Sequence, residues 1–333
     1  MSRFINRCDD ICLMQFEQIQ QELRRRIYSI KRPERILIDI DSTLFSTYGK
    51  QEGNDYNQHY NNYGYHPLLA YDGLTGDLLK AELRPGNVYT SKNTTDFLFP
   101  LLFEFQEDYP TIDLFLRGDS GFADVMIYEK LESNGVAYTI RMKESKPLRS
   151  AAEDFVAELN ELTKDNLVDY AVVYGEFFYK ADSWLYPRRI VCKVEKPYGQ
   201  LTQRHTFIVT NMESSPEDVI RFYCKRGTME NFIKESKSGF HMDGMSSSSM
   251  TVNANKLQIS TLAYNLFNWF RRMVLPANMR KLMIDTIRLK LIKIAARFIR
   301  SARYITFKLC SSCPYKTEFY EVMKNINQLQ VKL

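Results

Sequence analysis

Residues 35–45 read RILIDIDSTLF: an apolar run that delivers two carboxylates, Asp39 and Asp41, immediately before Ser42 and Thr43. The β-branched content predicts a strand, and alternation along a strand places Asp39, Asp41 and Thr43 on one face. Working outward, HPLLAYD and LLKAELR, separated by Gly73 and Gly76, predict two further strands joined by a short turn. A helix is expected over about 92–108, then the strand TIDLFLRGD, a helix near 123–134 and the strand VAYTIRM. Three strands, helix, strand, helix, strand is the order of a mixed α/β sheet. Between the first two strands, STYGKQEGNDYNQHYNNYGYH is dense in Asn, Gly and Tyr and predicts a loop or hairpin.

The remainder of the chain divides by composition. Residues 1–34 are rich in helix formers, with EQIQQELRRRIYSI stopped by Pro33, and form a helical N-terminal region. Residues 35–149 are the first part of an α/β core. Residues 150–212, with YAVVYGEFFYK, RRIVCKVEKPY and RHTFIVTN, form a β-rich insertion. Residues 213–275 return to the core through helices expected at about 216–238 and 251–275. Residues 276–333 are a basic C-terminal region with a helix expected over 279–301. The 333 residues are 44% apolar, enough for a substantial core, and carry a formal charge of only +5. That charge is unevenly placed: residues 271–308 hold eleven Lys or Arg against Asp285 alone, which fits phosphate-backbone contact along a basic helical face. No stretch approaches the about 18 apolar residues of a membrane span and no secretory leader is evident, so a cytoplasmic protein without membrane attachment is expected.

Two chemistries compete for the aspartates. Asp39-Ile40-Asp41-Ser42-Thr43, with Gly118-Asp119 and Asp124 downstream, resembles the acidic motifs of haloacid-dehalogenase phosphatases, where one Asp is a nucleophile. Against this, a strand followed by meander-like strands is not that family's parallel order, and neither Lys80 nor Lys92 follows its lysine pattern. The second chemistry rests on YCKRGTMENFIKESK (223–237), which gives Tyr223-x2-Arg226-x3-Glu230-x6-Lys237. On a continuous helix at 100° per residue these four side chains fall within roughly 60° of one another. Glu supplies a hard oxygen ligand for Mg²⁺, Arg and Lys suit phosphate oxygens, and Tyr stacks on bases.

That stretch resembles, at every specified position, the Tyr-Arg-Glu-Lys motif of a bacterial group of DDE-type insertion-sequence transposases. DIDST (39–43) and LFLRGDSGF (114–122) are similar to that group's two Asp motifs, and LAYNLFNWFR (262–271) to its C-terminal part. The resemblance implies a ribonuclease H-like fold: a mixed five-stranded sheet flanked by helices, with a β-rich insertion before the helix carrying the Glu. It implies a catalytic, metal-binding triad of Asp41, Asp119 and Glu230, and DNA contacts from Tyr223, Arg226 and Lys237. It further implies two Mg²⁺ (or Mn²⁺) ions, transposon ends and target DNA as partners, assembly as a homodimer on that DNA, and joining of 3′-hydroxyls to target by two-metal phosphoryl transfer. Asp41 rather than Asp39 matches the motif because it stands directly before Ser42-Thr43. Relatives carry a longer region before the first catalytic strand, so a truncated copy is expected. The other readings are the phosphatase and a DNA-binding remnant without catalysis.

Weaker signals complete the survey. Cys310-x2-Cys313 has the spacing of half a zinc knuckle, but no second pair lies near it, and Cys8, Cys12, Cys192 and Cys224 are expected as reduced thiols. His59, His66, His205 and His241 show no ligand spacing. Trp184 and Tyr186 are candidates for base stacking or for exposed positions on a hairpin. Asn255, Tyr264 and Asn265 are expected as packing or polar helix contacts.

Overall fold

The computed structural model describes residues 2–164, 170–200 and 202–329. It separates into two compact units, Pro33–Asn231 and Met1–Arg32 with Phe232–Leu333.

In chain order the elements are α1 (Ser2–Ile5), α2 (Asp10–Ile30), β1 (Arg35–Ser42), β2 (Phe45–Ser46), β3 (Asp55–Asn57), β4 (Asn62–Tyr65), β5 (Leu68–Asp72) and β6 (Leu78–Glu82). Then come α3 (Thr94–Asp108), β7 (Asp113–Gly118), α4 (Val125–Ser133), β8 (Ala137–Met142), α5 (Lys146–Ala151), α6 (Glu153–Leu162), β9 (Ala171–Tyr179), β10 (Arg188–Lys196) and β11 (Arg204–Thr210). Last are α7 (Pro216–Cys224), α8 (Thr228–Phe240), α9 (Met250–Met273), α10 (Ile284–Ile287), β12 (Ala296–Ser301), β13 (Tyr304–Leu309) and α11 (Lys316–Gln328).

The unit Pro33–Asn231 is built on one sheet of order β6-β5-β1-β7-β8-β11-β10-β9. Its first five strands are the ribonuclease H-like sheet expected above: β1 runs antiparallel to β5, β5 antiparallel to β6, and β1, β7 and β8 run parallel. β1 lies between two neighbours, and ILIDI is buried on both faces, with Ile36, Ile38 and Ile40 on one and Leu37 and Asp39 on the other. The β-rich segment extends this same sheet: β11 pairs antiparallel with β8, and β10 and β9 follow outward. Two helices precede those strands: α5, at the end of the expected first core part, and α6, within the segment expected to be β-rich. AEDFVAELNEL supplies an apolar face of Phe155, Val156 and Leu159 at helical spacing. Gly175 on β9 makes room for this helix, since a Cβ there would meet the Phe155 ring at 2.3 Å. The Asn/Gly/Tyr-rich stretch folds as a small sheet of order β2-β4-β3.

The other unit is largely helical. Asp9 caps α2 by accepting from the Cys12 N–H at 3.0 Å. Gln20 Nε2 donates to Gln258 Oε1 at 2.9 Å, and Asn255 Nδ2 donates to the Asp9 carbonyl at 3.1 Å, tying α2 to α9. Asn255, Tyr264 and Asn265 are buried on α9, the packing role expected of them. Arg271 pairs with buried Glu235, whose carboxylate also accepts from the Ile284 N–H at 2.9 Å.

Beyond α9 the helix expected over 279–301 is not continuous. A helical segment runs only from Ile284 to Ile292, its second half a π-helical turn, and residues 296–309 form the hairpin β12–β13. RFIR and YITF are β-branched and aromatic, and periodicity alone does not separate such short runs from helix. None of the six cysteines is bridged; Cys310 Sγ lies 3.1 Å from Ser312 Oγ.

Candidate active site

Because β1 and β7 are parallel neighbours, their C-terminal ends open at the same edge of the sheet, where ligands of open α/β sheets sit. Asp41 is the penultimate residue of β1 and Asp119 directly follows β7. Both line one cavity of about 490 Å³, with Tyr60, His66, Thr90 and Lys143 among its walls. Burial pushes the Asp41 carboxyl up to about 6, and the nearby Asp119 charge adds to the rise while Arg226 opposes it. A carboxyl raised in this way, with a second carboxylate in the same cleft, marks a candidate functional site.

Arg226 places a positive charge beside Asp41. Its Nη2 lies 3.0 Å from Asp41 Oδ2 and donates to the Ile40 carbonyl at 2.9 Å. Burial works against its charged form, but Asp41 and Asp119 hold its pKa above the ordinary arginine value. Its Nε is buried with no hydrogen-bond partner among the described residues.

The single helical stripe expected for Tyr223, Arg226, Glu230 and Lys237 is corrected by the backbone. A 3-10 turn over Lys225–Gly227 interrupts the helix, so Tyr223 is the penultimate residue of α7, Arg226 sits in the turn, and Glu230 and Lys237 lie on α8. The tighter turn changes the angular relation of residues on either side of it. Tyr223 is half-buried and packs against the core around Val191, Ile208, Val219 and Ile220, and burial raises its pKa. Glu230 is exposed in the first turn of α8 and is not part of the cavity wall. Lys237 belongs to the other unit. Among the described residues, no three His, Cys, Asp or Glu side chains stand together as a metal cluster.

Asp39 does something different. Arg117, its register partner on β7, donates Nε to Oδ1 and Nη2 to Oδ2, each at 2.6 Å, in a pair that is 1% and 0% exposed. Burial still raises the Asp39 pKa, with Arg117 opposing. The third arm of the guanidinium donates from Nη1 to the Phe222 carbonyl at 2.6 Å, which fixes the end of α7 and the turn bearing Arg226 against the sheet. Gly73 permits this fit, because a Cβ there would come within 2.4 Å of Asp39 Oδ2. An aspartate clamped and sealed in this way is not a nucleophile, so the phosphatase reading falls. Asp124 caps α4 by accepting from the Met126 N–H at 2.9 Å, and Lys80 lies over the Phe97 ring at 5.1 Å.

Arg117 was not singled out from sequence, although it stands two residues before Asp119 as Asp39 stands two before Asp41. That shared offset on paired parallel strands was the available signal. Other cavity residues carried no motif. The Tyr60 hydroxyl donates to the Ser42 carbonyl at 3.3 Å, with its pKa raised by burial and then by Asp41 and Asp119. His66 Nδ1 donates to the Val88 carbonyl at 2.8 Å, and burial lowers its pKa. Asp119 accepts from the Gly121 N–H at 2.8 Å, a loop-capping bond that orients its carboxylate. Trp184 is buried, edge-on to Tyr128 and Tyr179, and so is a core residue; Tyr186 is partly exposed and donates to Glu132 at 3.2 Å.

Against known families, the model of the transposase DDE domain group 1 matches residues 1–331. The chain belongs to that family. No curated protein matches it. Among solved structures, a piggyBac transposase synaptic complex with hairpin DNA is similar at 13% identity and a TM-score of 0.41, covering 71% of this chain and 48% of that one. The chain thus spans about half the length of that transposase. An Argonaute of Marinitoga piezophila with guide RNA and target DNA is similar at 16% identity and a TM-score of 0.24, covering 58% of this chain and 26% of that one. No helix among the described residues is long and apolar enough to cross a membrane.

Proposed function

We propose that this DDE-family chain is a DNA transposase of an insertion sequence, cutting transposon ends and joining their 3′-hydroxyls to target DNA. The observation that carries the reading is that Asp41 and Asp119 line one cavity at the carboxyl edge of the sheet, with Arg226 paired to Asp41 at 3.0 Å. The two aspartates fit a hard divalent cation by the chemistry of their oxygens and by the mutual repulsion that a cation relieves. Mg²⁺ or Mn²⁺ held by Asp41 and Asp119, with Glu230 as third ligand from α8, would supply activation of the attacking oxygen and stabilisation of the leaving one.

The chain's own residues do the rest. Arg226 places its positive charge beside Asp41 and holds the strand end through the Ile40 carbonyl. Asp39 and Arg117 set the position of that arginine through Phe222. Tyr223 and Lys237 are DNA contacts in this reading, and the active assembly is a homodimer on DNA.

Nicking of supercoiled plasmid by the full chain with Mg²⁺ or Mn²⁺ tests the function. Asp41→Asn and Asp119→Asn are each expected to lower the rate at least about 100-fold while DNA binding persists. Binding without any nicking by the wild-type chain would instead identify a DNA-binding remnant.

A further inference from the structure

The hairpin β12–β13 has a composition and exposure that nothing in the catalytic centre uses. Of its twelve strand residues only Ile299 is even partly covered; the rest are exposed. An isolated two-stranded hairpin is marginal in water. This one carries Phe298, Ile305 and Phe307 at 57%, 60% and 66% exposure on one face. Its register sets Arg297 directly opposite Lys308, a like-charge pair that destabilises a hairpin standing alone. Arg300 faces Ile305, and Arg303 occupies the two-residue turn between Ser301 and Tyr304. Residues 296–309 contain four basic side chains and no acid.

We propose that Ala296–Leu309 is a duplex-DNA-binding ribbon, entering a groove or tracking its phosphates with Arg297, Arg300, Arg303 and Lys308. The occupant follows from charge. Phosphates neutralise the opposed Arg297 and Lys308 and turn a cost of the free hairpin into an attraction. A two-stranded ribbon has the width that the major groove admits. Tyr304 beside the turn and the paired rings of Phe298 and Phe307, 5.8 Å apart, add apolar surface for sugar or base edges. The proposal rests on the transposase reading for its DNA partner, and it adds a contact surface in the unit that does not contain the carboxylates.

The experiment compares the full wild-type chain with a variant carrying Ala at 297, 300, 303 and 308 for binding to a random-sequence duplex across a salt series. At about 0.1 M salt the variant is expected to bind at least tenfold more weakly. Its slope of log affinity against log salt is expected to be shallower by about 3 to 4, at roughly 0.9 per phosphate contact. If thermal melting shows that this variant is unfolded, Arg303→Glu in the exposed turn replaces it, with a slope shallower by about 1. An unchanged slope and affinity in a folded variant, with wild-type nicking intact, would overturn the ribbon and leave the transposase reading standing. Loss of a DNA-free dimer on Phe298→Ser with Phe307→Ser, at unchanged DNA affinity, would overturn it in favour of a second copy as occupant. A wild-type chain with no salt-dependent DNA binding would remove both readings.

Discussion

At the scale of single residues, two aspartates one position apart have opposite environments and opposite duties. Asp39 is sealed with Arg117, and removing one partner of a buried pair leaves the other charge uncompensated. Asp39→Ala is therefore expected to cost about 3–5 kcal/mol in urea unfolding. Asp41 behaves otherwise. Its carboxyl is raised from the ordinary 3.8 to about 6 in the folded chain, so between those values the folded state holds the proton that the unfolded state has released. Metal-free stability should then fall as pH rises through this window, by roughly 3 kcal/mol from this group, and level off above it. Comparing unfolding at pH 4 and pH 7 checks the sign: Asp41→Asn should gain stability relative to wild type as pH rises. A relative loss would mean that Arg226 outweighs burial.

At the scale of elements, the sheet extension depends on one glycine. Gly175→Ala would drive a methyl group into the Phe155 ring, and overpacking of this kind costs about 1–3 kcal/mol. Amides of α6 should lose hydrogen-exchange protection before those of β1, whereas uniform loss would show that α6 and the central sheet open together. The elements most legible in the sequence were those with long, unambiguous patterns: β1, β5–β8, α2 and α9 lie where alternation, helix formers and turn residues placed them. Helices α5 and α6 were hidden by the strongly β-like strands that follow them. The hairpin at 296–309 was hidden because aromatic, β-branched and basic residues alternate there in a way that suits either period. The 3-10 turn at Lys225–Gly227 was invisible to a motif defined by spacing alone, and it matters most: it sends Arg226 to Asp41 and leaves Glu230 on a separate, exposed helical turn.

At the scale of the whole molecule, the unit Pro33–Asn231 contains Asp41, Asp119, Arg226 and Glu230, while Lys237 and the basic hairpin belong to the other unit. In the proposed account, phosphate chemistry is performed at the carboxyl edge of one sheet, and the basic surface that holds DNA is largely contributed by the C-terminal segment. The two functions should separate on mutation: hairpin variants lose affinity and salt dependence, and carboxylate variants lose strand cleavage at unchanged affinity.

In the proposed function Asp41, Asp119 and Glu230 serve one site, although Glu230 does not line the cavity that the two aspartates share. The most direct measurement is the single-turnover nicking rate of Asp119→Asn, Glu230→Gln and the double variant in Mg²⁺. Groups acting as a unit give non-additive losses, so each single change is expected to cost at least about 100-fold and the double change little more. A Glu230→Gln chain that nicks at the wild-type rate, or a double variant whose loss is the product of the two singles, would contradict the account.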